Sequence, residues 1–360
     1  MKITALYVYP IKALRGISIT HAELGAQGIK YDRRFMLYNR RPNGELRHMQ
    51  LSSYPQCALL EQEIVTAEDG TAQTILVQYR PPPPSEDSPS SANSSIKVPL
   101  EPDISSLEKA TVDLHGSPTA AYRMGECYDE WFTACLGVPT MMVYIGDGKR
   151  AILGNTLLPK TGQQSSQPPQ AQKGGWISSL ASYVNSQPQA SSPPAPWLTF
   201  TDLAPFLITS EASLRDVSTR LPEDQPLDMY KFRPNIVVDG EGKDSWDEDF
   251  WAELTVGARR QKLLLTGNCV RCTSLNVDYQ TGRPADGELG TVLKKLMKDR
   301  RVDPGMKWSP VFGRYASLHR GDGANEETAT ICVGDEVEVT GRNAERSGKY
   351  LPAQNSPGYT

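Results

Sequence analysis

The chain has 360 residues, six cysteines, a formal net charge of −4 and a pI of ≈ 5.7. That length holds two ordinary domains; the charge balance argues against a nucleic-acid binder, and the cysteines are too sparse for a disulfide scaffold and suit a reducing compartment. Of 28 prolines, five fall within residues 81–95 and seven within 159–197, so collagen-like and wholly disordered readings fail and the chain reads as a globular protein carrying two low-complexity inserts.

From the N-terminus, Ile3 to Tyr9 is rich in β-branched and aromatic residues and stops at Pro10, which predicts a strand and a turn. Residues 1–22 hold three bases and no acid, as a transit peptide does, but they are Ser-poor and strand-like. Phe35–Tyr38 and Thr74–Tyr79 read as further strands, and Asn43-Gly44 as a hairpin turn. Four consecutive prolines make 81–95 a loop between strands. Cys127, Trp131, Cys135 and Leu136 recur at helical spacing, so Gly125–Gly137 reads as an amphipathic helix. The longest apolar run, Cys135–Ile145, is interrupted by Gly137, Pro139 and Thr140, so no membrane span is expected. Residues 159–197 read as a Gln/Ser/Pro-rich insert with a short apolar centre at 175–184, suited to a short helix.

Beyond the insert, Ser210 is placed to cap a helix with Leu214, Val217 and Leu221 on one face. Ile236–Val238 and Leu263–Leu265 read as strands. Leu289, Val292, Leu293, Leu296 and Met297 predict the clearest helix, and Thr328–Thr340 a closing hairpin around Gly334-Asp335.

The densest chemical signal is Gly267-Asn-Cys269-Val-Arg271-Cys272. A zinc site needs two more ligands, and the remaining cysteines and the four histidines are scattered. A redox dithiol wants the pair opening a helix, whereas strand-and-turn sequence follows from Thr273. Two packed cysteines would explain the pair standing alone. Arg271 between them changes the balance. An adjacent cation favours thiolate, a soft metal ligand, and arginine grips phosphate in a bidentate way. The combination fits a metal held by a phosphate-bearing cofactor.

Tyr9-Pro-Ile-Lys12 with Arg15-Gly16, Asp32-Arg-Arg34-Phe35, Pro205–Leu214, Phe232-Arg-Pro-Asn235, Asp244-Ser-Trp246, Cys269-x-Arg-Cys272 and Ser309–Tyr315 follow one another in an order that resembles the MOSC-domain molybdenum enzymes of the amidoxime-reducing type. The resemblance spans about 1–150 and 198–342 and skips both inserts. It implies an α+β, β-rich fold: a MOSC-associated β-barrel-like domain over 1–158, an insert over 159–197, a MOSC β-barrel domain over 198–342 and a tail over 343–360, with the cofactor in the cleft between the domains. It also implies a molybdenum cofactor (Mo-molybdopterin), with Cys272 as the metal ligand. Lys12, Ala13, Arg34, Arg233, Asn235, Val270, Arg271 and Tyr315 are then expected at the cofactor, with Asp202, Leu203 and Ala204 lining the metal pocket and Asp202 handling protons or water. Ala13 and Val270 stand where relatives have serine, and Leu203-Ala204 replaces hydroxyl residues of some relatives, so substrate preference is expected to differ.

The activity implied is reduction of N-hydroxylated substrates: amidoximes, hydroxylamines, N-hydroxylated nucleobases and nitrite. The implied electron donors are a b-type cytochrome and an NADH-dependent flavin reductase, because no ferredoxin-like cysteine run follows. A cytoplasmic location is expected. Two rival readings share the motif: sulfur transfer through a cysteine persulfide, and a non-catalytic cofactor carrier.

Overall fold

The computed structural model describes residues 1–66, 73–82, 94–152, 197–319 and 329–346. The molecule is β-rich. Its largest sheet has eight strands, in the order Ile17–Ile19, Ile3–Val8, Ile236–Val238, Phe206–Ser210, Val311–Leu318, Gln261–Val270, Trp251–Val256 and Val337–Arg342. The pairing is antiparallel except between Phe206–Ser210 and Ile236–Val238. Those two strands are buried at every position, which accounts for their unbroken apolar sequence. The first strand thus lies beside Ile236–Val238, with Leu6 opposite Ile236.

A five-stranded sheet follows the order Glu108–Leu114, Ser117–Arg123, Thr140–Tyr144, Phe35–Arg40, Leu46–His48. A three-stranded sheet joins Leu60–Thr66, Gln73–Tyr79 and Ser94–Pro99. The helix Glu126–Leu136 ends at Gly137, which sits at φ 68° and donates to the Thr133 carbonyl, a left-handed cap that glycine adopts at least cost. Its Phe132 and Leu136 join one apolar core with Phe35, Leu37, Leu60 and Met142. A second core lies against the large sheet, around Leu6, Phe206, Trp251, Leu254 and Leu263.

Both inserts start and end at paired positions. Tyr79 lies opposite Ser94, and Ala151 opposite Trp197. The chain therefore leaves each sheet and returns to it at one point. The helix expected at 175–184 lies outside the described residues, as does most of the tail.

Two expectations are corrected. The helix over 289–297 is a 3-10 turn, Gly287–Thr291, followed by one α-helical turn, Val292–Leu296. Gly290 explains the tight turn: a Cβ there would lie 2.1 Å from the Ala285 carbonyl oxygen. The closing hairpin does not form. Ala329–Cys332 pairs with His21–Gly25 and Val337–Arg342 with Trp251–Val256, so the turn at Gly334-Asp335 carries the chain between sheets. After Cys272 the backbone makes a 3-10 turn, Thr273–Asn276, before the short strand Val277–Asp278.

The ends of the larger insert are already paired at Ala151 and Trp197, and each strand pairing among the described residues forms without residues 152–196. Replacing residues 152–196 with a two-residue Asn-Gly turn shortens the loop by about four and a half doublings, each worth about 0.6 kcal/mol of closure entropy, so stability should rise by about 2.7 kcal/mol. Urea denaturation checks this; a loss of cooperative folding would contradict it.

Candidate functional site

Arg150 organises one wall of the main pocket. It is buried, and it donates Nε to the Thr199 carbonyl at 2.9 Å and Nη2 to the Asp202 carbonyl at 3.0 Å, with a further bond to the Thr201 carbonyl. With Arg150 and Ala151 paired to Leu198 and Trp197, the segment 199–202 is clamped and Asp202 is presented to the cavity. Lys12 reaches the same place from the turn after the first strand. Its Nζ donates to Asp202 Oδ1 at 2.5 Å and to the Phe200 carbonyl at 2.9 Å. Burial pulls the Lys12 ammonium down to about 8, opposed by Asp202 and aided by Arg33 and Arg150. Burial alone would raise the Asp202 carboxyl, but the Lys12 and His115 contacts outweigh it and hold Asp202 well below the ordinary carboxylate range.

A second group of cations gathers on one ring. The guanidinium carbons of Arg33 and Arg233 each lie 4.5 Å from the centroid of the buried Tyr9 ring, a cation–π arrangement that offsets part of their desolvation. The Tyr9 hydroxyl donates to the Pro234 carbonyl at 3.1 Å. Gly16 makes room for this ring, because a Cβ there would come within 2.5 Å of it. Arg33 is paired with the buried Asp32 at 2.5 Å and donates to Asn235 Oδ1 at 3.2 Å. Asn235 accepts also from the Leu207 N–H and donates to the Tyr7 carbonyl. Arg33 and Arg233 take positive φ, 49° and 56°, conformations uncommon for non-glycine residues and informative when they occur at a pocket.

The floor is the end of the Gln261–Val270 strand. The Arg271 N–H donates to the Pro310 carbonyl at 2.8 Å, and its side chain donates Nη2 to the Phe232 carbonyl at 2.7 Å and Nη1 to Cys269 Sγ at 2.9 Å. Cys269 is buried and packs with Ala204, Leu207 and Tyr315. Cys272 is exposed, with its Sγ 3.2 Å from Ser274 Oγ.

One cavity collects nearly all the expected residues. Lys12, Ala13, Asp202, Ala204, Arg233, Asn235, Val270, Arg271, Cys272 and Tyr315 line it. Two do not. Arg34 is turned to the far side, where Nη2 donates to the Tyr144 hydroxyl at 3.1 Å and the Gly146 carbonyl at 2.8 Å; its neighbour Arg33 faces the cavity instead, because the backbone twists at Arg33 before the strand begins at Phe35. Leu203 packs against the Ala204–Tyr315 cluster and does not line the cavity.

Sequence reasoning also missed His115. It occupies a two-residue hairpin with Gly116, both at positive φ, between Leu114 and Ser117, which face each other. Its Nε2 lies 3.2 Å from Asp202 Oδ1, and its ring meets His48 edge-on at 5.3 Å. The His115-Gly116 dipeptide was the signal available for the turn; nothing local marked its reach to Asp202.

The cavity's charged lining is four cations, Lys12, Arg33, Arg233 and Arg271, against the single carboxylate Asp202. Such a surface recognises a polyanion of modest size.

Comparison with known proteins adds to this. A model of the MOSC domain matches residues 195–338, and a model of the MOSC N-terminal beta barrel domain matches residues 1–139. Mitochondrial amidoxime-reducing component 1 of Homo sapiens is 27% identical over 350 residues, covering 94% of this chain and 83% of the relative. The Mus musculus protein of the same name is 26% identical over 350 residues, with 94% and 82% covered. Mitochondrial amidoxime reducing component 2 of Macaca fascicularis is 37% identical over 142 residues, 38% of each chain.

Lys12 makes anion binding depend on pH. Arginine stays charged throughout, whereas Lys12 loses its proton as pH rises through about 8. A bound anion favours the ammonium, so binding takes up a proton above that pH. Affinity for pyrophosphate should fall by up to about tenfold per pH unit above 8, and Lys12→Met should flatten the slope. Calorimetric titration from pH 7 to 10 measures it; a flat profile in the parent chain would refute the assignment.

Proposed function

The chain carries a MOSC N-terminal barrel and a MOSC domain, so it belongs with the MOSC-domain proteins homologous to the mitochondrial amidoxime-reducing components, and from that premise we propose that it is a molybdenum-cofactor oxidoreductase reducing N-hydroxylated substrates. The observation that carries this reading is the convergence of four cations and an accessible cysteine on one cavity.

The lining suits a molybdenum–pyranopterin group with its phosphate tail. Arg271 Nε and Thr201 Oγ1, on two residues that line the cavity, are buried with no hydrogen-bond partner among the described residues, and a buried donor left unpaired costs about 1–3 kcal/mol. A ligand bearing anionic oxygens satisfies such groups. In this reading Arg33, Arg233 and Arg271 hold the anionic parts, Asn235 and Ala13 shape the pterin side, and Cys272 ligates the metal. Cys269 stays protein-bound under Arg271.

When bound, the group supplies two electrons and an acceptor for the N-hydroxyl oxygen. Reduction of an amidoxime breaks the N–O bond, consumes two electrons and two protons, and yields amidine and water. Lys12, hydrogen-bonded to the Asp202 carboxylate and with its ammonium pulled down to about 8, would donate those protons in this reading. Asp202, kept ionised by Lys12 and His115, would orient Lys12, whose next proton comes from water. Electrons come from a separate chain, a b-type cytochrome with its NADH-dependent flavin reductase.

The test is direct. Purified protein should contain close to one molybdenum per chain and convert benzamidoxime to benzamidine with reduced methyl viologen as donor. Altering even the groups that orient a metal ligand costs about 10–100-fold, so Cys272→Ser should abolish turnover. A persulfide on Cys272 in molybdenum-free protein would favour sulfur transfer instead. Molybdenum without turnover of any N-hydroxylated compound would favour a carrier.

A further inference from the structure

Residues 294–308 carry six bases and two acids in a chain of net charge −4. Both acids are engaged: Asp303 accepts from Asn268, and Asp299 pairs with Arg220. Two of the bases are engaged as well: Arg300 is buried against Asp249, and Lys295 pairs with Glu288. Lys294, Lys298, Arg301 and Lys307 are exposed, and no ion pair to them occurs among the described residues. Beside Lys307 stands Trp308, which is 79% exposed. A large aromatic held in water at this level is costly unless something covers it.

This segment is fastened to the cavity floor. The Pro310 carbonyl accepts from the Arg271 N–H, and the Val311 N–H donates to the Arg300 carbonyl, both at 2.8 Å. Val311 lies opposite Val270 in the sheet. Trp308 is two residues from Pro310, at most about 7 Å along the chain. A protein seated on Trp308 therefore abuts the backbone that carries Arg271 and the exposed Cys272.

We propose that Trp308, with Lys298, Arg301 and Lys307, forms the docking face for the electron donor, a carrier protein with an acidic surface. The inference rests on the reductase reading above, in which each turnover needs two electrons from outside. Lysines and arginines on a net-negative molecule steer an acidic partner to one side. Tryptophan and arginine are among the residue types enriched at binding hot spots, and both stand exposed in this segment. The location also keeps the electron path short, because the same strand end holds the partner and the proposed metal ligand.

The experiment uses the full chain, a b-type cytochrome with an acidic surface, its flavin reductase and NADH. Trp308→Ala and the triple change Lys298→Glu, Arg301→Glu, Lys307→Glu are compared with the parent. Binding to immobilised cytochrome should weaken by about tenfold or more in either variant, and the triple change should remove most of its salt dependence. The cytochrome concentration giving half-maximal benzamidoxime turnover should rise in step. Turnover driven by reduced methyl viologen, which needs no docking, should match the parent. Unchanged cytochrome binding in both variants overturns the proposal, as does an equal loss of viologen-driven turnover, which would report damage to the pocket. If the parent turns over benzamidoxime with neither donor, the reductase reading falls, while the binding measurement still decides the surface.

Discussion

Holding several like charges against one another is the constraint that shapes this molecule. Lys12, Arg33, Arg233 and Arg271 meet at one cavity, and each must be desolvated and kept apart from the others. The fold answers each charge separately. Asp32 and Asp202 neutralise Arg33 and Lys12. The Tyr9 ring attracts both Arg33 and Arg233. Arg271 is given a carbonyl and a sulfur. What remains is an excess of positive potential facing the cavity, with Arg271 Nε still lacking a partner among the described residues. A buried excess of this kind costs stability in the empty protein and returns it on binding an anion.

Much of this was visible in the residues. Strands such as Ile3–Val8, Phe35–Arg40 and Gln73–Tyr79 were legible because β-branched and aromatic runs end at proline or turn residues. Ser210 capping the Ala212 N–H was legible from its place before an apolar face. Partnership was harder. The alternation around Gly334-Asp335 fitted a hairpin, yet each strand found a different sheet, since a strand pattern specifies a buried face and not the neighbour that buries it. The 287–296 region shows the limit of periodicity: the apolar spacing is helical, but two glycines tighten the first half into a 3-10 turn.

The site was legible where chemistry is concentrated in motifs. Cys269-x-Arg271-Cys272 and Phe232-Arg-Pro-Asn235 both reach the cavity. Arg34 was expected at the cavity and Arg33 lines it, because two adjacent arginines are equivalent on paper and only the backbone twist at φ 49° decides which one turns inward. Arg150 and His115 carried no motif at all. Their importance comes from distance in space: Arg150 closes on carbonyls about fifty residues later, and His115 reaches an aspartate 87 positions away.

The first strand has a consequence for biosynthesis. Leu6 emerges from the ribosome 230 residues before its sheet partner Ile236. At about 5–20 residues per second, the wait is on the order of ten to fifty seconds. Through that interval Ile3, Leu6 and Val8, all buried in the finished protein, can pair with Ile17–Ile19 on one edge but leave the other edge of the strand open. Nascent chains of this protein should therefore need a chaperone at their N-terminus. The pocket residue Lys12, fixed by a bond to the Phe200 carbonyl, reaches its final place only in the second half of synthesis.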